Sequence, residues 1–202
     1  MSASDEFLTI AAPCETTLKV RGSTFIGNVH PVSDRQAAEA ILKAREKEYF
    51  DATHHCFAYR IGLPPFTVER FSDAGEPSGT AGKPILQAIQ GRNLTDCIVI
   101  VTRYFGGTKL GTGGLARAYG GTASDLLDRA PILTRVLTQR IHIRFDYADT
   151  SAVMHLIQRS AGKIVESTYD SHSHLTVDVR LREMETFKTE LVNCTRGTAE
   201  IS

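Results

Sequence analysis

No apolar run in this chain of 202 residues is longer than Cys97–Val101, far short of the ~18 residues needed to cross a bilayer. The N-terminus lacks a basic stretch. Asp5 and Glu6 stand there instead, and the apolar patch from Phe7 to Ala12 stops at Pro13, which predicts neither a signal peptide nor a lipid anchor. Cysteine is sparse: Cys14, Cys56, Cys97 and Cys194 lie far apart with no C-x-x-C pair. That spacing excludes a disulfide framework and a zinc knuckle, and points to reduced, mostly buried thiols in a cytoplasmic protein. Nor is there an excess of charge, since 23 Lys and Arg balance 23 Asp and Glu. Nucleic acid is then not held by bulk charge, and only a local basic patch would serve. With 42% apolar and 23% charged residues the chain is neither disordered nor fibrous, and its length suits one large domain or two small ones.

Glycine is unevenly spread. All glycines but Gly162 and Gly197 precede residue 122, and two domains are expected, 1–135 with glycine-rich loops and 136–202 without. The join is Ala130-Pro131-Ile132-Leu133-Thr134-Arg135, which ends a helix and leads into a strand. In the second domain Ile141, Ile143, Phe145 and Tyr147 alternate with polar residues as a half-buried strand. Asp149 or Thr150 caps a helix facing inward through Val153, Leu156, Ile157 and Ala161, with Gly162 just past its end. A strand near 163–168 follows, then a turn and a strand through Leu175, Val177, Val179 and Leu181. A helix with Met184, Phe187 and Leu191 inward and a short strand near 198–201 complete a βαββαβ order, the ferredoxin-like pattern. The fold class is therefore α+β.

The first domain predicts strands near 17–21, 24–30, 54–61, 67–72 and 95–102. Ser33 with Gln36 reads as a capping box for a helix carrying Ala37, Ala38, Ile41 and Leu42. A second helix begins close to Pro84, and a third spans about 112–129 with Leu115, Ala118, Tyr119, Thr122 and Leu126 inward. Gly120-Gly121 within that third helix costs ~1 kcal/mol per glycine relative to alanine, which suggests a close backbone neighbour.

Two stretches hold candidate chemistry. The first, Ser72 to Lys83, contains Asp73, Gly75, Glu76, Pro77, Ser78, Gly79, Thr80, Gly82 and Lys83; the second, Arg103 to Gly114, contains Arg103, Tyr104, Gly106, Gly107, Lys109, Gly111, Gly113 and Gly114. Each enters a helix N-terminus, where unpaired amides and the helix dipole favour an anion. Between positions 82 and 117 the charges are Lys83, Arg92, Arg103, Lys109 and Arg117 against Asp96, a local sum of +4 in a neutral chain. The plainer alternative is that the glycines are turn material and the bases scattered surface charges. Thr53-His54-His55-Cys56 does not read as a metal site, because on a strand His55 points away from His54 and Cys56. Ser78 or Thr80 with Asp73, Glu76 and a histidine would be the only nucleophile set, but no G-x-S-x-G elbow accompanies it. Asp73 and Glu76 fit equally well as turn caps or as partners of a nearby base.

Those two stretches, extended to Phe71–Leu86 and Arg103–Leu115, together with Asp51–Ala58 and Arg21-Gly22-Ser23-Thr24-Phe25, closely resemble the signature of the YigZ/IMPACT family. Where other members carry an acid at position 74, this chain has Ala74. The resemblance covers nearly the whole chain. It implies a first domain with the fold of the second domain of a small-subunit ribosomal protein, followed by the ferredoxin-like domain. That pairing is similar to the two domains by which elongation factor G meets the ribosome. It also implies translation regulation, which eukaryotic relatives exert by competing for the activator of a stress kinase through a further N-terminal domain. No catalytic residue, metal or cofactor comes with it. The expected partners are ribosome or structured RNA, or a protein of translation control, and not a membrane. The expected site is the two stretches with Arg117, where Arg103, Lys109, Lys83 and Arg117 meet phosphates and Tyr104 and Phe105 offer a stacking face. The competing expectation is a phosphate- or nucleotide-binding enzyme, kinase-like or hydrolytic, that uses the same loops.

Overall fold

The computed structural model describes residues 5–202 and divides into two compact units. One is Phe7–Arg135; the other is Val136–Ser202, with which Asp5 and Glu6 group. It is a mixed α/β structure with several sheets.

The first unit begins with β1 (Glu6–Ile10), the apolar patch of the N-terminus, which pairs with β7 (Ile132–Val136) in a two-stranded sheet. Its main sheet has five antiparallel strands, β2 (Cys14–Val20), β3 (Ser23–Pro31), β4 (His54–Ile61), β5 (Val68–Ser72) and β6 (Cys97–Tyr104), in the order β2-β3-β6-β4-β5. Helix α1 (Arg35–Glu48) covers one face, over Phe57, Tyr59, Ile98 and Ile100. Helices α2 (Gly82–Gln90) and α3 (Gly111–Arg129) cover the other, over Phe25, Val29, Cys56, Val99 and Val101. The central strand β6 is thus apolar along its length because helices lie on both its faces, although every pairing is antiparallel.

Helix α1 starts one residue later than its capping-box reading. Asp34, not Ser33, is the N-cap, and its carboxylate accepts from the Ala37 amide at 2.8 Å while Ser33 only donates to that carboxylate. An ionised acceptor outcompetes a hydroxyl for an amide at a helix start.

The second unit runs β8 (Thr138–Phe145), α4 (Thr150–Arg159), β9 (Lys163–Tyr169), β10 (Ser173–Arg180), α5 (Met184–Cys194) and β11 (Glu200–Ile201), with sheet order β11-β8-β10-β9. Ile141, Ile143, Phe145, Leu175, Val177 and Val179 form a core with Val153, Leu156 and Ile157 of α4 and Met184, Phe187 and Leu191 of α5. Three residues expected inside are not. Tyr147 and Leu181 each open a 3₁₀ turn beyond the end of a strand, and Tyr147 stacks its ring on Tyr169. Ala161 is the left-handed residue (φ 50°) that ends α4, so the amide of Gly162 can reach back to the Ile157 carbonyl at 2.9 Å. Asp149 holds the N-cap position, but its carboxylate accepts from Arg196 instead of capping the helix.

Candidate functional site

The first glycine-rich stretch is fastened from within. Asp73 Oδ2 accepts from the Gly79 amide at 2.8 Å, and Oδ1 accepts from the Ala81 and Gly82 amides at 2.9 Å each. Burial alone would raise this carboxyl's pKa; the three amide bonds outweigh it and bring it below its ordinary value. Asp73 therefore occupies the N-terminus of α2, where an external anion was expected. Thr80 is buried and donates to the Pro77 carbonyl at 2.6 Å, and Gly82 is pressed so close to Ser72 that a Cβ would stand 2.7 Å from its backbone nitrogen. Gly75, Pro77, Ser78 and Gly79 are exposed.

Behind this loop lies a buried ionic cluster. Strand pairing sets Phe25 of β3 and His54 of β4 on either side of Arg103 in β6. Arg103 Nη1 donates to Glu76 Oε1 at 2.5 Å, and the two side chains are 6% and 4% exposed. Tyr119 of α3 donates to the same oxygen at 2.8 Å, and Arg103 Nη2 donates to Ser23 Oγ at 3.3 Å. The guanidinium lies 5.4 Å from the ring centroids of both Phe25 and Phe105. His54 Nδ1 is 2.9 Å from the Ala74 carbonyl, which fixes the proton on that nitrogen and leaves Nε2 facing Glu76 Oε1 at 3.9 Å. The Cys56 thiol donates to the Asp73 carbonyl at 3.0 Å, and burial pushes its pKa up to about 12.

This arrangement corrects the role expected of Arg103. It is an internal ion-pair partner that ties β6 to the first loop, not a cation offered to phosphate. Asp73 and Glu76 are committed as cap and partner, so neither is placed to hold magnesium beside the second loop, and the protonated Cys56 is no nucleophile. His55 faces the other way, toward Thr102 Oγ1 at 3.2 Å, and among the described residues no three His, Cys, Asp or Glu side chains gather as a metal set.

The second stretch is pinned at its start and open beyond. Gly106 rests against Gly22, with room for no side chain: a Cβ would fall 1.9 Å from the Gly22 carbonyl carbon. The amides of Phe105 and Gly106 donate to Thr53 Oγ1 and Ser23 Oγ at 3.0 and 3.1 Å. Tyr104 is half-buried and donates to Asp51 at 2.7 Å, while Phe105 is exposed. Gly107, Thr108 and Lys109 are exposed as well, and α3 then begins at Gly111 with no side chain capping its first amides. Beside that helix start is a hollow of about 340 Å³ lined by Leu18, Val20, Arg21, Leu110, Gly114 and Arg117. Arg117 also lines a shallow groove of about 480 Å³ with Pro84, Gln87, Gly120 and Gly121.

The close backbone approach expected at Gly120-Gly121 is absent. A Cβ on Gly120 would meet Pro84 at an ordinary 3.4 Å, and one on Gly121 would meet nothing within 4 Å. Gly120 thus packs on Pro84 of α2 at ordinary contact distance, Gly121 faces open space, and both line the groove.

Arg60, Arg70, Arg92, Arg103 and Arg129 of this unit are all ion-paired. Among the described residues no ion pair engages Arg21, Lys83, Lys109 or Arg117. Arg21 was not an expected site residue, although Arg21-Gly22-Ser23 is a visible motif; Tyr119 was read as core, and His54 as a strand residue that could supply a base to Ser78 or Thr80. Their partners come from distant parts of the chain, so no spacing reveals them.

Two domain families match. Residues 21–127 match the Impact N-terminal domain, and residues 143–198 match a domain of unknown function, DUF1949. The chain is 33% identical over 195 residues to the IMPACT family member YvyE of Bacillus subtilis, covering 96% of this chain and 89% of that one. It is 31% identical over 198 residues to YigZ of Escherichia coli, covering 98% and 97%. Protein IMPACT of Xenopus laevis is 33% identical over 99 residues, which is 47% of this chain and 31% of that protein. A solved structure described as that of a hypothetical protein superposes with a TM-score of 0.71 at 31% identity, over 98% of this chain and 96% of its own. The chain belongs to the IMPACT family.

Proposed function

We propose that this IMPACT family chain is a non-catalytic, translation-linked protein that binds structured RNA, as a ribosome presents it, on the basic surface around the start of α3. The observation that carries this reading is the contrast in pairing. The first unit ion-pairs Arg35, Arg45, Arg60, Arg70, Arg92, Arg103 and Arg129, and leaves Arg21 and Arg117 without carboxylates in a hollow beside a helix start whose amides no side chain caps, with unpaired Lys109 just ahead of that start and unpaired Lys83 in the first turn of α2. Free cations and free amides are the two groups that hold a phosphate backbone. The exposed glycines of the second loop allow close approach, and Phe105 supplies an exposed ring over Arg103. The strand order of the second unit supports a ferredoxin-like reading of it, and the translation link rests on the family.

Sedimentation with ribosomes, and with ribosomal RNA alone, tests the reading. Binding should weaken as salt rises, with a log–log slope of about −3 if four cations meet phosphates. Arg21→Ala with Arg117→Ala should flatten that slope by about 2 without lowering thermal stability. Binding that is absent, or indifferent to salt and to these changes, sinks it. A nucleotide enzyme is the weaker reading, because both acids of the first loop are already engaged; a saturable thermal shift with a nucleotide and magnesium would revive it.

A further inference from the structure

The two-residue turn between β2 and β3 puts an arginine where the backbone does not favour one. Arg21 and Gly22 both have positive φ, 45° and 84°, values that glycine, asparagine and aspartate reach at the least cost. Packing holds the turn there. Val20 pairs with Ser23, and Gly22 is pressed on the second glycine-rich loop, where a Cβ on it would stand 2.8 Å from the Gly106 carbonyl oxygen. Backbone strain of this kind persists where the surroundings over-determine it, and it clusters at binding sites. The side chain so mounted lines the hollow of about 340 Å³ beside α3.

The second cation of that hollow is Arg117, folded back along its own helix so that a Cβ on Gly113 would lie 3.6 Å from Arg117 Nη1. Among the described residues neither Arg21 nor Arg117 makes an ion pair or a side-chain hydrogen bond, and no acid lines the hollow. Two guanidiniums on one hollow repel each other until an anion stands between them. The rest of the wall is aliphatic, with Leu18 and Val20 from β2 and Leu110 and Ala118 at and within α3. The ligand that fits is therefore an anion joined to a compact apolar ring, in a hollow of the size of a single small-molecule site. Its concave form receives a group that protrudes, which the unbroken backbone of a duplex does not offer.

We infer that this hollow holds the phosphorylated end of an RNA strand, with the terminal phosphate between Arg21 and Arg117 and the terminal base against Leu18, Val20, Leu110 and Ala118. A terminal phosphate carries close to two charges and three free oxygens, so it can engage a guanidinium on each of two sides. A phosphate within the chain carries one charge and is tied at both ends. The inference rests on the RNA reading above and names the part of the RNA that the two arginines select.

Fluorescence anisotropy of the full chain, without magnesium, tests it with one short internally labelled RNA bearing a 5′-phosphate, a 3′-phosphate or neither. One phosphorylated form should bind about ten- to a hundredfold more tightly than the strand with neither, and which one does so names the end. Removing the base next to that phosphate should weaken binding roughly tenfold. Arg21→Ala with Arg117→Ala should erase the preference with the melting temperature unchanged. If all three strands bind alike and the double alanine variant weakens them alike, the inference falls and the basic-surface reading stands. If the preference is present but neither ribosomes nor ribosomal RNA sediment with the chain, the inference stands and the basic-surface reading falls. If the abasic end binds as well as the intact one, the walls receive no ring and the inference is overturned. If adenosine monophosphate competes as well as the phosphorylated strand binds, the hollow takes a free nucleotide and the chain end is overturned. If no strand binds, both readings fall.

Discussion

Arg103 Nη1 and Glu76 Oε1 meet at 2.5 Å with both side chains almost wholly excluded from water. The pair joins a strand of the central sheet to a loop 27 residues away in sequence, and Tyr119 closes the cluster from α3. A loop rich in glycine and serine is thereby tied to the sheet and to α3 through Glu76.

Breaking that pair from either side leaves a buried charge without its partner. Arg103→Ala and Glu76→Ala should each destabilise the first unit by about 3–5 kcal/mol, and the double variant should cost less than the sum. Urea unfolding of the three variants measures this. Additive costs would show that the two side chains do not act as one unit.

Asp73 predicts an acid-labile loop. Its carboxyl titrates below its ordinary 3.8 in the folded chain because the amides of Gly79, Ala81 and Gly82 outweigh its burial. A carboxyl with a depressed folded value adds stability above its unfolded pKa, and that stability is lost as pH falls below about 3.8. Asp73→Ala should cost about 3 kcal/mol at neutral pH and much less at pH values beneath the folded pKa. Unfolding curves at the two pH values check it; an equal cost at both would refute the assignment.

Two glycines should respond to alanine in opposite directions. Gly106→Ala puts a methyl 1.9 Å from the carbonyl carbon of Gly22, so the second loop must move off the β2–β3 turn. A loss of about 2 kcal/mol or more is expected. Gly121→Ala meets nothing within 4 Å in the interior of α3, and helix propensity alone should raise stability by up to about 1 kcal/mol. Thermal unfolding of both variants distinguishes them, and a destabilised Gly121→Ala would mean that something closes the groove.

The buried thiols should be inert. Burial raises Cys56 and Cys97 to about 12, so at mildly alkaline pH neither forms the reactive thiolate while the chain is folded. A chromogenic thiol reagent should react with both only after denaturant is added. Rapid native labelling of Cys56, located by peptide mapping, would contradict the closed cluster.

Local pattern accounts for much of the architecture. The period-two alternation of Ile141, Ile143 and Phe145 and the helical spacing of Leu115, Ala118, Tyr119, Thr122 and Leu126 place these residues inside, where the structure has them. Such patterns are legible because each states which side of an element faces away from water. Positions at the ends of elements were misread, as with Ser33, Tyr147, Ala161 and Leu181, because a terminus is settled by which acceptor or turn competes for the last amides.

The sequence by itself determined most of the strands and helices, though not β1, most of the core residues, and the two glycine-rich loops as the places where regular structure is interrupted. Only the tertiary structure decided what those loops do with their charges. It turned Arg103 and Glu76 inward as partners, spent the carboxylate of Asp73 on its own helix, and left Arg21 and Arg117 facing the same hollow. Periodicity records burial, which is a property of one residue and its neighbours in the chain. A charge takes its meaning from the opposite charge that folding brings beside it, and that partner lies far away in sequence.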